Sequence, residues 1–482
     1  MRKRIAILFI LSLLIGILFM NQGPFVKDEA LYAQTIDEMI ATWNPLPTYG
    51  GDLAGWKPPA MYWVYSVFIA VLMGLGLPVE ITYRLPGVLL GSLCSVLVYL
   101  VVRRGSGNED LGFISGIAYA GNGLAIAVSL KLLMDTLLLT FILAGVLCYM
   151  KAVDDRRFAL FGGLFVFMAI LTKTIVGLII PLLAIAYWVL HYRRTPLRWE
   201  LFASFLTIPL AFLFLYAFMP GIGEQYQLDS MSRIPMNMKL GYYVGLNVIE
   251  ILEFCMVWLA LAVYGAYMYR NDDDMRFWYA WGLVALVPLI VAGPLFWYFL
   301  PLMPVVSVLA GKVVLSNGKV DALVIAFALG VMLLSLPGVY NYQSLVVDSQ
   351  EKRDARDLGE HILGKDVLVI MEYNPTVLYY GLPKNGMHEN IDALFMDHSA
   401  LSDCELERLV VDSELPDGTL DVSGAFLLHF LHPSISFGEF EKQHEYIALD
   451  RDAYMERFLG NDGYSGFWVE HETESFVVIK RG

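Results

Sequence analysis

Long apolar runs, each closed by a short polar or charged interval, set the pattern of this chain. Eleven of them predict membrane-crossing helices, at about 5–20, 84–102, 111–129, 132–150, 158–172, 174–191, 199–219, 248–269, 276–293, 295–314 and 320–339. Runs of roughly 17–25 residues reach across a hydrocarbon core. Two stretches depart from the pattern. Residues 28–43 place Tyr32, Ile36, Met39, Ile40 and Trp43 on one helical face, with Asp37 and Glu38 pointing elsewhere. A helix of that kind lies in the membrane interface. The segment 60–77 carries Met61, Tyr62, Trp63, Tyr65 and Phe68 and predicts a half-buried juxtamembrane piece. After residue 340 the runs shorten. A helix is expected at 351–363, a buried strand at 366–370, a short element at 376–380, and strands at 425–431 and 476–480.

The expected fold is therefore mainly α: a polytopic membrane protein of about eleven transmembrane helices with a C-terminal extracytoplasmic α/β domain. The membrane domain would span 1–340, with 21–83 as an outer loop, and the soluble domain 345–482. Composition agrees, with 57% hydrophobic and 17% charged residues, against about a quarter charged in soluble domains. The net charge of −14 is unevenly spread. Residues 1–340 hold 22 Lys and Arg against 20 Asp and Glu, and residues 341–482 hold 11 against 27. An acidic outer domain argues against nucleic acid as a partner.

Basic residues in short loops orient the chain. Arg2 to Arg4, Arg103–Arg104, Lys151/Arg156/Arg157, Arg193/Arg194/Arg198, Arg270/Arg276 and Lys312/Lys319 fall on one side, 15 of the 22 in this half. That side is the cytoplasm, so a multi-pass plasma-membrane protein with a cytoplasmic N-terminus and an outer C-terminal domain is expected. The first span has a basic start and apolar core like a signal peptide, but the exit Asn21 to Pro24 lacks a small-x-small site, so retention is expected. Cys94, Cys148 and Cys255 fall within spans and Cys404 stands alone outside, so no disulfide framework is implied.

Ionisable residues gather on the outer side. Asp28 and Glu29 open the amphipathic stretch, where a helix dipole favours anions. They are either ordinary first-turn acids or, for Asp28, a base able to deprotonate a hydroxyl beside a lipid. Lys57, Arg84, Lys131 and Lys173 are either snorkelling span ends or partners for phosphate. Asp135, near an outer span end, would pair with one of these cations or act directly. Tyr298 and Trp297 either line a site or belong to the aromatic belt. Glu250 and Glu253 are ambiguous. His191 is cytoplasmic by this topology, and the other histidines follow residue 360. His429 and His432 flank a strand and are more readily structural than metal ligands.

The order of motifs carries a resemblance. Asp28-Glu29-x-x-Tyr32-Ala33 is followed by Lys57-Pro58-Pro59, then Tyr83-Arg84-Leu85-Pro86, Leu133-Met134-Asp135-Thr136, Leu171-Thr172-Lys173-Thr174 and Trp297 to Pro304. In order, spacing and membrane side this resembles the polyprenyl-phosphate-sugar-dependent GT-C glycosyltransferases, among them protein O-mannosyltransferases and aminoarabinose transferases. Trp56 and Leu31 stand where the aminoarabinose transferases commonly have an acid and an arginine. No Trp-Trp-Asp tripeptide occurs, which disfavours an oligosaccharyltransferase.

The resemblance implies an inverting transfer of a sugar from a polyprenyl or dolichyl phosphate to a hydroxyl of a protein, a lipid-linked glycan or a glycolipid. Asp28, with Glu29 beside it, would be catalytic. Lys57, Arg84, Lys131 and Lys173 would hold the donor phosphate, supported by Asp135 and Tyr298. Fixed cations can stabilise a single leaving phosphate, so no metal is required, and nothing in the sequence excludes a divalent ion. The alternatives are a transporter or flippase of lipid-linked sugars, or a non-catalytic binder of them. Transporters commonly show repeats and broken helices with midplane charges; here the charge gathers at one interface.

Overall fold

The computed structural model describes residues 1–20, 23–25, 27–49, 52–54, 57–192, 199–219, 255–292, 296–315, 322–342, 350–362, 379–380 and 473, together with six strands after residue 366. Glu250, Glu253, His429, His432, Cys404 and Trp56 lie outside the described residues. The chain divides into two compact units: residues 1–21 with 54–343, and residues 22–53 with 344–482.

The first unit is helical. In order it contains α1 (Arg2–Phe19), α3 (Ala60–Leu72), α4 (Val79–Ser106), α5 (Glu109–Ala120), α6 (Gly123–Ser129), α7 (Met134–Lys151), α8 (Arg157–Lys173), α9 (Ile179–Tyr192), α10 (Trp199–Phe205) and α11 (Thr207–Phe218), with later helices at Arg276–Ala292, Met303–Val314 and Ala322–Tyr342. Among the described residues, five helical stretches are long and apolar enough to cross a membrane, or six if α5 and α6 form one bent span. The Arg157–Leu190 stretch is itself interrupted after Lys173. A Cβ placed on Gly177 would come within 2.5 Å of the Ile170 nitrogen, a proximity that a straight helix cannot give residues seven apart. The chain therefore doubles back there. The turn is strained: Thr174, a β-branched residue, has φ +42°.

The run 111–129, expected as one span, is bent by 59° between α5 and α6. Gly121 and Asn122 make the break, and the Asn122 side chain accepts from the Ala125 amide at 3.1 Å, capping α6. Trp258 Nε1 donates to the freed Gly121 carbonyl at 3.0 Å. The broken ladder is thus re-satisfied inside protein, as a membrane interior requires.

Ion pairs gather one set of loops at one end of this unit. Arg4 meets Asp110 at 2.6 Å, Arg104 meets Asp154 at 2.5 Å, Arg156 meets Glu200 at 3.1 Å and Lys312 meets Asp272 at 3.2 Å. Among the described residues, these loops carry the basic residues Arg4, Arg104, Arg156 and Lys312.

The second unit contains α2 (Lys27–Thr42), a two-stranded hairpin of β1 (Thr48–Tyr49) and β2 (Asp52–Leu53), the helix Gln350–Ile362, and β3 (Val367–Glu372), β4 (Ile391–Met396), β5 (Ala425–Leu428), β6 (Tyr446–Asp450), β7 (Phe467–Glu472) and β8 (Phe476–Arg481). The last six form one sheet in the order β5-β4-β3-β6-β8-β7, with β3 parallel to both β4 and β6 and the outer pairs antiparallel. An aromatic knot joins the early and late segments. The Phe25 ring lies 5.0 Å from Tyr379 and 6.3 Å from Tyr380, and the Phe25 amide donates to the Tyr380 hydroxyl. Arg356 caps the Tyr380 ring at 5.2 Å.

Candidate active site

The first-unit site is built where three helix ends meet. Leu133 is extended and starts α7, which puts Asp135 in its first turn, where the helix dipole favours a carboxylate. Lys173 is the last residue of α8, where the dipole favours a cation. Lys173 Nζ and Asp135 Oδ1 are 2.5 Å apart. The same ammonium stands 3.9 Å from the centre of the Tyr298 ring, which the segment Phe296–Leu302 supplies. The pair is buried on both sides, and a charge in such surroundings needs its partner. Tyr298 therefore belongs to this cluster and not only to an aromatic belt.

Two further cations stand deeper than span-end snorkelling would place them. Arg84, one turn into α4, has no exposed surface, and Lys131 is almost as buried. Lys131 sits in the short link from α6 to α7. That link is held by backbone bonds from Lys131 N to Val128 O and from Leu133 N to Lys131 O. The Tyr65 hydroxyl of α3 donates to the Leu133 carbonyl at 3.4 Å. Lys57 is half-buried just before the Pro58–Pro59 step, and Pro59 caps α3. Glu80, in the first turn of α4, is a buried carboxylate that the motif pattern does not single out.

The acids of the second unit divide. Both lie in the first turn of α2. Asp28 is exposed, and Glu29 is 1% exposed. Asp37 and Glu38, expected to face away from the covered side, are buried too. Gln34 Nε2 donates to Glu38 Oε1 at 3.2 Å. Trp43, expected on the apolar face, is 85% exposed. The helix ends at Thr42, and Trp43 turns to φ +54°, which takes it off the helical face. Asp28 is thus the solvent-accessible member of the pair.

The structure brings together Asp135, Lys173 and Tyr298. Arg84 and Lys131 come from neighbouring backbone at the same end of the helices. The motif pattern misses Glu80 and two glycines of α4, Gly87 and Gly91, and Tyr65 is read there only as one of the interfacial aromatics. A signal for the glycines exists in the small-xxx-small spacing of Gly87-Val88-Leu89-Leu90-Gly91, which marks close helix contact in membranes. Among the described residues, no three His, Cys, Asp or Glu side chains converge as a metal site.

Residues 56–222 match the family described as dolichyl-phosphate-mannose-protein mannosyltransferase. An uncharacterised protein of Aquifex aeolicus is 25% identical over 210 residues, which cover 42% of this chain and only 41% of that relative's length. Two solved structures share the fold along almost the whole chain. ArnT from Cupriavidus metallidurans, bound to undecaprenyl phosphate, superposes with a TM-score of 0.66 at 15% identity, covering 98% of this chain and 97% of its own. The oligosaccharyltransferase AglB from Archaeoglobus fulgidus, in complex with an inhibitory peptide and a dolichol-phosphate, gives 0.53 at 12% identity, covering 98% and 74%. The chain is thus a helical membrane protein with the fold of the GT-C glycosyltransferases that its motifs resemble.

Proposed function

We propose that this protein is a membrane glycosyltransferase that moves a sugar from a polyprenyl- or dolichyl-phosphate donor to a hydroxyl at the outer membrane face. The observation that carries the reading is the set of buried cations Arg84, Lys131 and Lys173 at one end of the helices, in a fold of which two solved examples, ArnT and AglB, hold lipid phosphates. Buried cations at a span end are costly unless they serve a ligand or a fixed partner.

The mechanism follows from charge. Asp28 accepts the proton of the acceptor hydroxyl, and the oxygen attacks the anomeric carbon from the face opposite the lipid phosphate. The bond from that carbon to the phosphate oxygen breaks, which inverts the centre. The departing phosphate gains negative charge, and Lys57, Arg84, Lys131 and Lys173 stabilise it. Asp135 and the Tyr298 ring hold the Lys173 ammonium in place. Glu29, buried beside the base, orders the start of α2. The chain crosses the membrane about eleven times with the basic loops in the cytoplasm, and the C-terminal residues form an α/β domain outside. That domain helps to recognise the acceptor.

One observation favours a second reading. The break between α5 and α6 is the kind of discontinuity that transporters place at substrate sites. Binding and translocation separate the two. Wild-type protein in nanodiscs should bind undecaprenyl phosphate, and Lys173→Ala should bind it about tenfold or more weakly, as expected for one lost charge-assisted contact. Absence of binding by the wild type overturns the lipid-phosphate reading. Movement of labelled lipid-linked sugar across proteoliposomes without sugar release establishes the transporter instead.

A further inference from the structure

The link from α6 to α7 carries Lys131 and delivers Asp135, yet it is only four residues long, from Leu130 to Leu133. Its position depends on how closely it can approach α4. A Cβ at Gly87 would lie 2.6 Å from the Ser129 carbonyl oxygen, 3.2 Å from the Lys131 carbonyl oxygen and 3.4 Å from the Tyr65 hydroxyl. The first two contacts are with backbone, so no side-chain rotation relieves them. One turn further on, a Cβ at Gly91 would lie 2.7 Å from Ser129 Cβ and 3.1 Å from its Oγ. Here the obstacle is a side chain. Beside the Gly87 seat, the Tyr65 hydroxyl ties the Leu133 carbonyl. The link is therefore held by a glycine seat on α4, against Ser129 and Lys131, and by an adjoining phenol on α3, at Leu133.

We propose that Gly87 is a positioning residue for the basic cluster. By lacking a Cβ it seats the Ser129–Lys131 backbone directly on α4. That seat fixes where the Lys131 ammonium stands, and it fixes the entry of α7 from which Asp135 reaches Lys173. Tyr65, whose hydroxyl adjoins the same seat, ties the end of the link at Leu133. The effect on donor affinity rests on the reading that this cluster binds a lipid phosphate; the seating itself does not.

Two readouts test it on the full-length protein in nanodiscs. The first is the rate at which a water-soluble amine reagent acylates Lys131, followed by peptide mass spectrometry, with half-buried Lys151 as internal reference. Gly87→Ala should raise the Lys131 rate about tenfold, as a link forced off its seat opens locally, and should leave Lys151 unchanged. The second is affinity for undecaprenyl phosphate, which should fall in Gly87→Ala. It should fall little further when Lys131→Ala is added, because the two changes act through one group. Gly91→Ala should be relieved by Ser129→Gly, and Gly87→Ala should not. If Gly87→Ala does not fold, Tyr65→Phe decides, with the same directions and smaller changes.

Unchanged Lys131 acylation in the folded variants overturns the proposal, as do fully additive losses with Lys131→Ala. Raised acylation in Gly87→Ala, together with a wild type that binds no lipid phosphate, keeps the seat and overturns the functional reading alone.

Discussion

At the residue scale, the Asp135–Lys173 pair is the most exacting feature. Deleting one member strands a buried charge, so Asp135→Ala should cost about 3 kcal/mol of stability, measured as a lowered melting temperature in detergent. Replacing both by apolar residues of similar size, Asp135→Leu with Lys173→Met, should restore stability to within about 1 kcal/mol of wild type. The same double variant should lose donor affinity. Retained affinity would make the pair a structural staple. Both residues were legible as motif members, because charged residues near a span end stand out against an apolar background. Their partnership was open in the sequence, since thirty-eight positions separate them. The depth of Arg84 was not legible at all: a one-dimensional pattern cannot tell a snorkelling arginine from one with no exposed surface. Nor could it tell Asp28 from Glu29, which differ in exposure although they are neighbours.

At the element scale, the apolar runs located the helices of the first unit because each run is bounded by polar residues or by proline and glycine. The break within 111–129 escaped that reading. Gly121-Asn122-Gly123 is too short an interruption to lower the local hydropathy, yet glycine and a capping asparagine are the residues that end one helix and start another. Asn122→Ala should therefore cost about 1 kcal/mol, read from thermal unfolding. It should also speed amide exchange in the first turn of α6 more than elsewhere. Uniform exchange across α5 and α6 would show that the cap is not what sets the bend. Residues 28–43 were correctly legible as a helix, but their burial was not. Amphipathic spacing marks one covered face, and this helix covers Asp37 and Glu38 as well.

At the scale of the whole molecule, charge and apolarity assign the chain to a membrane and gather its basic loops at one end. The ion pairs from Arg4 to Asp110 and from Arg104 to Asp154 knit those loops together. If that end is cytoplasmic, a C-terminal alkaline phosphatase fusion expressed in bacteria should be active and a C-terminal green fluorescent protein fusion dark. The reverse pattern would invert the topology. The grouping of residues 22–53 with 344–482 was not legible, because the Phe25–Tyr380 contact joins residues far apart in the chain. The central claim is sugar transfer from a lipid phosphate with Asp28 as base. It is tested most directly by single-turnover release of sugar from a panel of radiolabelled polyprenyl-phosphate sugars. The assay uses protein in nanodiscs, a membrane extract as acceptor source, and Asp28→Asn beside the wild type. Transfer by the wild type from one donor, reduced about a hundredfold in the variant as loss of a general base allows, is the predicted result. Donor binding without sugar release from any member of the panel would contradict it.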